Sequence, residues 1–156
     1  MQEESIERIL NTYGNMLYRL CLVMLKTEAD AEDAVQETIL KYLQKRPLFR
    51  DQDHEKAWLL AVAANKCRDV LRFHARHPQI CLDELTEICA ESQDSTILEA
   101  LMAVPEKFRL VLVLHYVEGY STTEIAGIIG RTPSAAKMRL QKGRQLLGEI
   151  YRREYL

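Results

Sequence analysis

The side chains best suited to chemistry in this sequence are polar and basic ones near its end, and they suit recognition of nucleic acid rather than bond making. Ser121-Thr122-Thr123-Glu124 forms a capping box, in which the serine side chain accepts from the N–H at Glu124 and the glutamate carboxylate reaches back to Ser121. A short helix with Ile125, Ala126, Ile128 and Ile129 follows and closes at Gly130 and Arg131. Thr132 as cap and Pro133 as first helical residue then open a second helix. A short helix, a tight turn and a second helix are the grammar of a helix-turn-helix. At about 100° per residue, Ala136, Leu140, Gly143 and Leu147 share an inward arc. Ser134, Met138 and Gln141 share the opposite one, flanked by Lys137 and Lys142. Arg139 borders the buried arc, where its stem can pack while its head reaches a phosphate. From Arg131 to Arg153 there are seven basic residues and one acid, Glu149. Such a helix sets its N-terminal side chains against base edges while Lys and Arg engage phosphates. A merely solvated face is the competing reading, above all for Lys142 and Arg144.

Other chemistries find little support. No nucleophile, base and orienting group form a set, and neither a P-loop nor a dinucleotide fingerprint occurs, so the chain is not expected to be an enzyme. The four cysteines, Cys21, Cys67, Cys81 and Cys89, include no C-x-x-C pair. Cys67, His74, His77 and Cys81 fit no common zinc spacing and are interrupted by Pro78, so neither metal nor cofactor is expected. Met1-Gln2-Glu3-Glu4 does not begin a secretory signal, and the longest apolar run, Ala57 to Ala64, is too short to span a bilayer. The expectation is a cytoplasmic protein without membrane insertion of its own, its thiols reduced.

The elements that must position the basic helix follow from hydrophobic periodicity. Hydrophobic residues make up 47% of the 156 and charged ones 28%, enough apolar surface for a packed core. Ile6, Ile9, Leu10, Tyr13, Leu17, Leu20, Cys21, Met24 and Leu25 recur at helical spacing and predict a helix from about Glu4 to Lys26. A second helix is expected from Asp30, acting as its cap, with Val35, Ile39, Tyr42 and Leu43 inward until Pro47 stops it. A third runs from about Glu55 through Trp58, Leu59, Val62, Ala63, Val70 and Leu71 to Ala75, after a polar loop from Phe49 to His54. Trp58 is expected in the core. Asn65, Asp69, Arg72 and Arg76 form the wet side of that helix and also suit contact with a DNA backbone. Helices resume at about Thr96 to Val104, then from Pro105 with Phe108, Val111, Leu112, His115 and Tyr116 to Gly119.

Charge divides the chain as the helices do. Residues 1–77 hold twelve basic and twelve acidic side chains, 78–100 none and six, and 101–156 nine and five. The fold class expected is all-α: a helical domain at 1–77, an acidic linker at 78–95 and a helix-turn-helix domain at 96–156.

The constellation resembles a known family. Asp30-Ala31-Glu32-Asp33-Ala34-Val35-Gln36-Glu37-Thr38-Ile39, Lys56-Ala57-Trp58-Leu59 and Asn65-Lys66-Cys67-Arg68-Asp69 resemble the second region of bacterial sigma factors of the extracytoplasmic-function group of the sigma-70 family. Val104-Pro105-Glu106-Lys107-Phe108-Arg109 and Ser121 to Leu147 resemble their fourth region. The resemblance implies a promoter-specificity subunit that binds core RNA polymerase, through the clamp helices of the largest subunit and the flap of the second, together with promoter DNA and an anti-sigma factor. Asp33, Gln36 and Glu37 match the clamp-binding positions. Phe49, Arg50, His54, Asn65, Arg68 and Arg72 fall in the minus-ten region. Ser121, Thr122 and Thr123 join Ser134, Lys137, Met138, Arg139, Gln141, Lys142 and Arg144 in the minus-thirty-five set. The linker matches a segment that threads the polymerase channel.

Two departures bear on specificity. The family's loop usually has a Gly after Phe-Arg, where this chain reads Phe49-Arg50-Asp51-Gln52-Asp53-His54, so the captured base cannot be carried over. The reading helix has Ser134-Ala135-Ala136-Lys137-Met138 in place of a common Gly-Thr-Val-Lys-Ser pattern, and Met138 can touch a thymine methyl but cannot form a bidentate pair. The rival function is a free-standing helix-turn-helix regulator, which ordinarily dimerises, and no dimer helix is expected after Leu147.

Overall fold

A computed structural model describes residues 2–76 and 95–155, and within them the backbone is helical with no strand. The acidic connector expected at 78–95 lies, up to Asp94, outside the described residues, as do His77, Cys81 and Cys89. The chain separates into two compact units.

The first unit packs α1 (Gln2–Leu25), α2 (Glu28–Lys45) and α3 (Gln52–Arg76) against one another. Ile9, Tyr13, Leu17, Leu20, Cys21, Met24 and Leu25 of α1 are buried as their periodicity requires, while Leu10 is 44% exposed at the margin of the stripe. Lys26 turns the chain with φ at 72°, a left-handed conformation that costs a side-chain-bearing residue about 1 kcal/mol. Thr27, not Asp30, caps α2: its Oγ1 accepts from the Asp30 N–H at 3.3 Å. A hydroxyl one turn earlier does the capping, so the Asp30 carboxylate is left to meet His74 Nε2 of α3 at 2.8 Å. Arg46, also left-handed, closes α2 ahead of Pro47.

Helix α3 begins earlier than its apolar pattern predicts. Asp51 Oδ1 accepts from the His54 N–H at 2.8 Å, a side-chain cap that starts the helix at Gln52 and shortens the loop. The helix thereby brings Glu55 inside, 6% exposed. Arg8 meets this carboxylate with two N–H bonds, 3.0 Å to Oε1 and 2.8 Å to Oε2, and also donates to the Tyr42 hydroxyl at 3.2 Å. One node therefore joins all three helices. The Arg8 hydrogen bond holds the Glu55 carboxyl below the usual carboxylate range against the opposing effect of burial. Burial and a hydrogen bond to Glu55 push the Tyr13 hydroxyl up to about 12.

The second unit lays α4 (Ser95–Ala103), α5 (Glu106–Leu112) and α6 (Thr122–Ile129) on the long α7 (Pro133–Tyr155). Arg109 is 3% exposed, and its Nη1 donates to the carbonyls of Met102 at 3.1 Å and Val104 at 2.7 Å, satisfying the end of α4. The helix from Pro105 does not stay α-helical to Gly119. Val113–Val117 widen into a π-helical turn, with the Glu118 N–H on the Val113 carbonyl at 3.1 Å. Tyr116, in that turn, is 60% exposed.

A lowered carboxyl pKa means that ionised Glu55 stabilises the fold at pH values above the unfolded glutamate value of 4.5, a contribution lost as pH falls through the lowered folded value. Urea unfolding followed by Trp58, the one tryptophan and a residue of this unit, should show stability falling on acidification below about pH 4.5. Glu55→Gln should cost about 2 kcal/mol at neutral pH and flatten that dependence. An unchanged pH profile in the variant would contradict the assignment.

Candidate nucleic-acid and polymerase interfaces

The helix-turn-helix is built by local hydrogen bonds. The Ser121 hydroxyl accepts from the Glu124 N–H at 3.2 Å, and Glu124 Oε1 accepts from the Ser121 N–H at 3.0 Å. That backbone N–H, with the serine side chain, holds the Glu124 carboxyl below its ordinary value. Gly130 is left-handed at φ 70°, and the following Arg131 N–H closes on the Ala126 carbonyl at 3.0 Å. Thr132 Oγ1 accepts from the Ala135 N–H at 3.1 Å and starts α7.

Packing then fixes which side of α7 is free. Ala136, Leu140 and Gly143 are buried and Leu147 is half-buried. A Cβ on Gly143 would sit 3.1 Å from Leu112 Cγ, so the glycine lets α7 lie close on α5. Ser134, Lys137, Met138, Gln141, Lys142 and Arg144 are exposed, Met138 at 68%. Ser121 and Thr123 are exposed and Thr122 half-buried at the start of α6. Arg139 is half-buried, and desolvation, then the nearby Arg131 charge, lowers its pKa. A guanidinium in that setting gains from any anion brought against it.

On the first unit, Asp33, Gln36 and Glu37 are exposed, opposite the buried Ala31, Ala34, Val35, Thr38 and Ile39 of α2. Glu37 lies 3.5 Å from Lys66 Nζ of α3. A groove of about 380 Å³ continues from this pair past Leu40, Lys41, Gln44 and Lys45. Leu40 is 55% exposed, and periodicity alone gave no reason to single it out.

The loop before α3 is shaped by aromatic contacts. Phe49 stacks on Tyr42 with centroids 6.2 Å apart and meets Trp58 and His54 edge-on at 5.8 and 5.3 Å. Trp58 is half-buried in this cluster rather than sunk in the core. The backbone N–H of Arg50 donates to His54 Nδ1 at 3.2 Å, and Arg50 is exposed. Asn65 and Arg72 are exposed on α3, the latter 3.7 Å from Asp69, and Arg68 is half-buried. The structure thus brings Phe49, Arg50 and His54 together at the start of α3. Asn65, Arg68 and Arg72 follow farther along that helix.

Two units that are helical throughout the described residues, one carrying a capped helix-turn-helix with an exposed basic helix, have a build common among DNA-binding proteins. A family model described as Sigma-70 region 2 matches residues 9–77, and one described as Sigma-70, region 4 matches residues 95–147. The chain is 35% identical to RNA polymerase sigma factor CarQ of Myxococcus xanthus, over 95% of this chain and 92% of that one. It is 25% identical to ECF RNA polymerase sigma factor SigW of Bacillus subtilis, over 93% and 88% respectively. Its fold is that of the sigma factor RpoE solved with the anti-sigma factor NepR from Bartonella quintana, with a TM-score of 0.75, 21% identity and coverage of 97% and 99%. CnrH, solved with the cytosolic domain of CnrY, gives 0.72 at 24% identity, covering 97% and 90%.

The chain belongs to the sigma-70 family of RNA polymerase sigma factors, in its extracytoplasmic-function group. It directs transcription initiation with RNA polymerase and is not a free-standing regulator, because the region 2 match accounts for a unit that a lone helix-turn-helix leaves unexplained. The family is one of non-catalytic initiation factors.

The close approach at Gly143 has a measurable cost. Gly143→Val should destabilise the second unit by about 2 kcal/mol through overpacking against Leu112. In urea unfolding, helicity by circular dichroism should be lost at lower urea than in the parent protein. Unchanged unfolding in the variant would contradict the packing.

Proposed function

We propose that the two units divide the work of promoter recognition, and the observation that carries this is the exposure of a separate polar face on each. Asp33, Gln36 and Glu37 on α2 dock on the clamp helices of the largest polymerase subunit; their acidic, outward face favours a basic partner. Phe49, Arg50 and His54, with Asn65, Arg68 and Arg72 of α3, hold the minus-ten element as it opens. The Tyr42, Phe49 and Trp58 cluster supports this reading, because a rigid loop can receive a flipped base without rearranging first. Unstacking a base costs a few kcal/mol, which binding energy can supply without nucleotide hydrolysis.

On the second unit, Ser134, Lys137, Met138 and Gln141 read the minus-thirty-five element from the outward arc of α7. Arg139, Lys142 and Arg144, with Ser121, Thr122 and Thr123 of the preceding helix, hold the backbone. The flap of the second polymerase subunit takes the apolar groove of about 310 Å³ between α4 and the π-helical turn, lined by Ile97, Leu101, Leu112, Val113, Tyr116, Val117 and Leu147. RpoE of Bartonella quintana is held by an anti-sigma factor, and we extend that kind of partner to this chain. In this reading the protein performs no chemistry of its own and acts in the cytoplasm.

Asp33→Arg should abolish or strongly weaken co-purification with core polymerase while leaving helicity and the Trp58 transition unchanged, and Gln36→Ala should weaken it less. Undiminished co-purification of a folded Asp33→Arg protein would remove the docking assignment. Replacing Ser134, Lys137, Met138 and Gln141 should move sequence preference, selected from randomised promoters with the holoenzyme, at minus thirty-five alone. Movement at minus ten would mean that α7 has been misplaced on the promoter. Arg139→Ala should make the salt dependence of promoter binding shallower by about one unit on a log–log plot, the loss of one phosphate contact.

A further inference from the structure

Tyr116 and Arg144 come from different elements and meet in the open. Tyr116 projects from the π-helical turn at Val113–Val117, and Arg144 lies on α7, exposed. The Arg144 Nε–H donates to the Tyr116 hydroxyl oxygen, and the guanidinium carbon stands 5.5 Å from the centre of the ring. The tyrosine is itself steadied: His115 meets it edge-on at 4.8 Å and 84°. His115 is fixed in turn by its Nδ1–H on the Tyr120 carbonyl at 2.7 Å. Among the described residues no carboxylate lies within ion-pair distance of Arg144, so its charge is not neutralised there.

An exposed contact of this kind adds little to stability, because water competes for both groups. Its use lies in where it holds the charge. A guanidinium has five N–H groups, and with the Nε–H taken by Tyr116 the four on Nη1 and Nη2 remain as a planar fork at the end of the side chain. That fork matches two oxygens of a phosphate. Arg144 lies two turns beyond Lys137 on the same side of α7, at the flank of the outward arc.

We propose that Tyr116 is a positioning residue, which holds the Arg144 guanidinium so that its Nη edge grips a backbone phosphate of the duplex read by α7. The proposal rests on the reading of α7 as the DNA-facing helix. It removes Arg144 from the class of merely solvated basic residues, and it gives the π-helical turn, which carries Tyr116, a part in DNA binding.

The test uses the full chain bound to core polymerase and a labelled duplex that this holoenzyme selects from random sequence, titrated by anisotropy across a salt series. Variants are Tyr116→Phe, Arg144→Ala, the two combined, and Lys137→Ala as a reference on α7. Tyr116→Phe should weaken binding about threefold, in keeping with an exposed charged contact. In the Arg144→Ala background it should cost nothing further. Arg144→Ala should make the salt slope shallower by about one unit, while Tyr116→Phe, which leaves the charge present, should leave the slope nearly unchanged. A cost of Tyr116→Phe that is equal in both backgrounds, or no cost at all, overturns the proposal. If Arg144→Ala is silent while Lys137→Ala weakens binding, the DNA face of α7 stands and the positioning role falls. If both are silent, the reading of α7 falls and the proposal with it.

Discussion

A charge taken out of water must be met by partners in fixed places, and that requirement sets the geometry of each unit. Glu55 is nearly inaccessible, and a buried carboxylate left unmatched would cost several kcal/mol. Arg8 meets it from α1 and reaches Tyr42 on α2 at the same time. Three helices that could slide on apolar contacts alone are thereby held in one register. The loop before α3 inherits this order, because Phe49 stacks on the same Tyr42 that Arg8 contacts. The proposed minus-ten surface is thus positioned by a node, Arg8 with Glu55, that is not itself among the proposed DNA contacts.

The second unit answers the same requirement with the signs reversed. A guanidinium, Arg109, is buried, and carbonyls at the end of α4 are its partners. Since α4 and α5 both pack on α7, fixing one against the other leaves the long helix a single cradle. Gly143 lets it settle there, and the capping box at Ser121 fixes where the shorter helix of the pair begins. The exposed arc of α7 is what remains once these inward demands are met.

The parts legible in the sequence are those that depend on neighbours along the chain. The capping box, Gly130, the Thr132 cap and the inward arc through Gly143 all follow from residues within a turn or two, and the structure has them. Boundaries slipped where two residues could cap. Thr27 precedes Asp30, and Asp51 precedes the apolar stripe of α3, so in both cases the helix starts sooner than hydrophobic periodicity indicates. Contacts between distant residues left no trace in the pattern. Arg8 and Glu55 are 47 positions apart, and Tyr116 and Arg144 are 28 apart. Periodicity places Tyr116 on the helix from Pro105 but does not foretell its exposure, since the π-helical turn breaks the 3.6-residue period.

That turn has a bearing on how such chains accept change in length. A π-helical turn closes a loop one residue larger than an α-helical turn, so it holds one residue of slack between two fixed points, the buried Leu112 and the left-handed Gly119. Losing a residue from Val113–Val117 would let the helix close normally and still deliver the chain to the Ser121 cap, with the helix-turn-helix undisturbed. What would change is the side on which an aromatic ring emerges. A single-residue deletion there would therefore keep the scaffold while altering the contact between Tyr116 and Arg144.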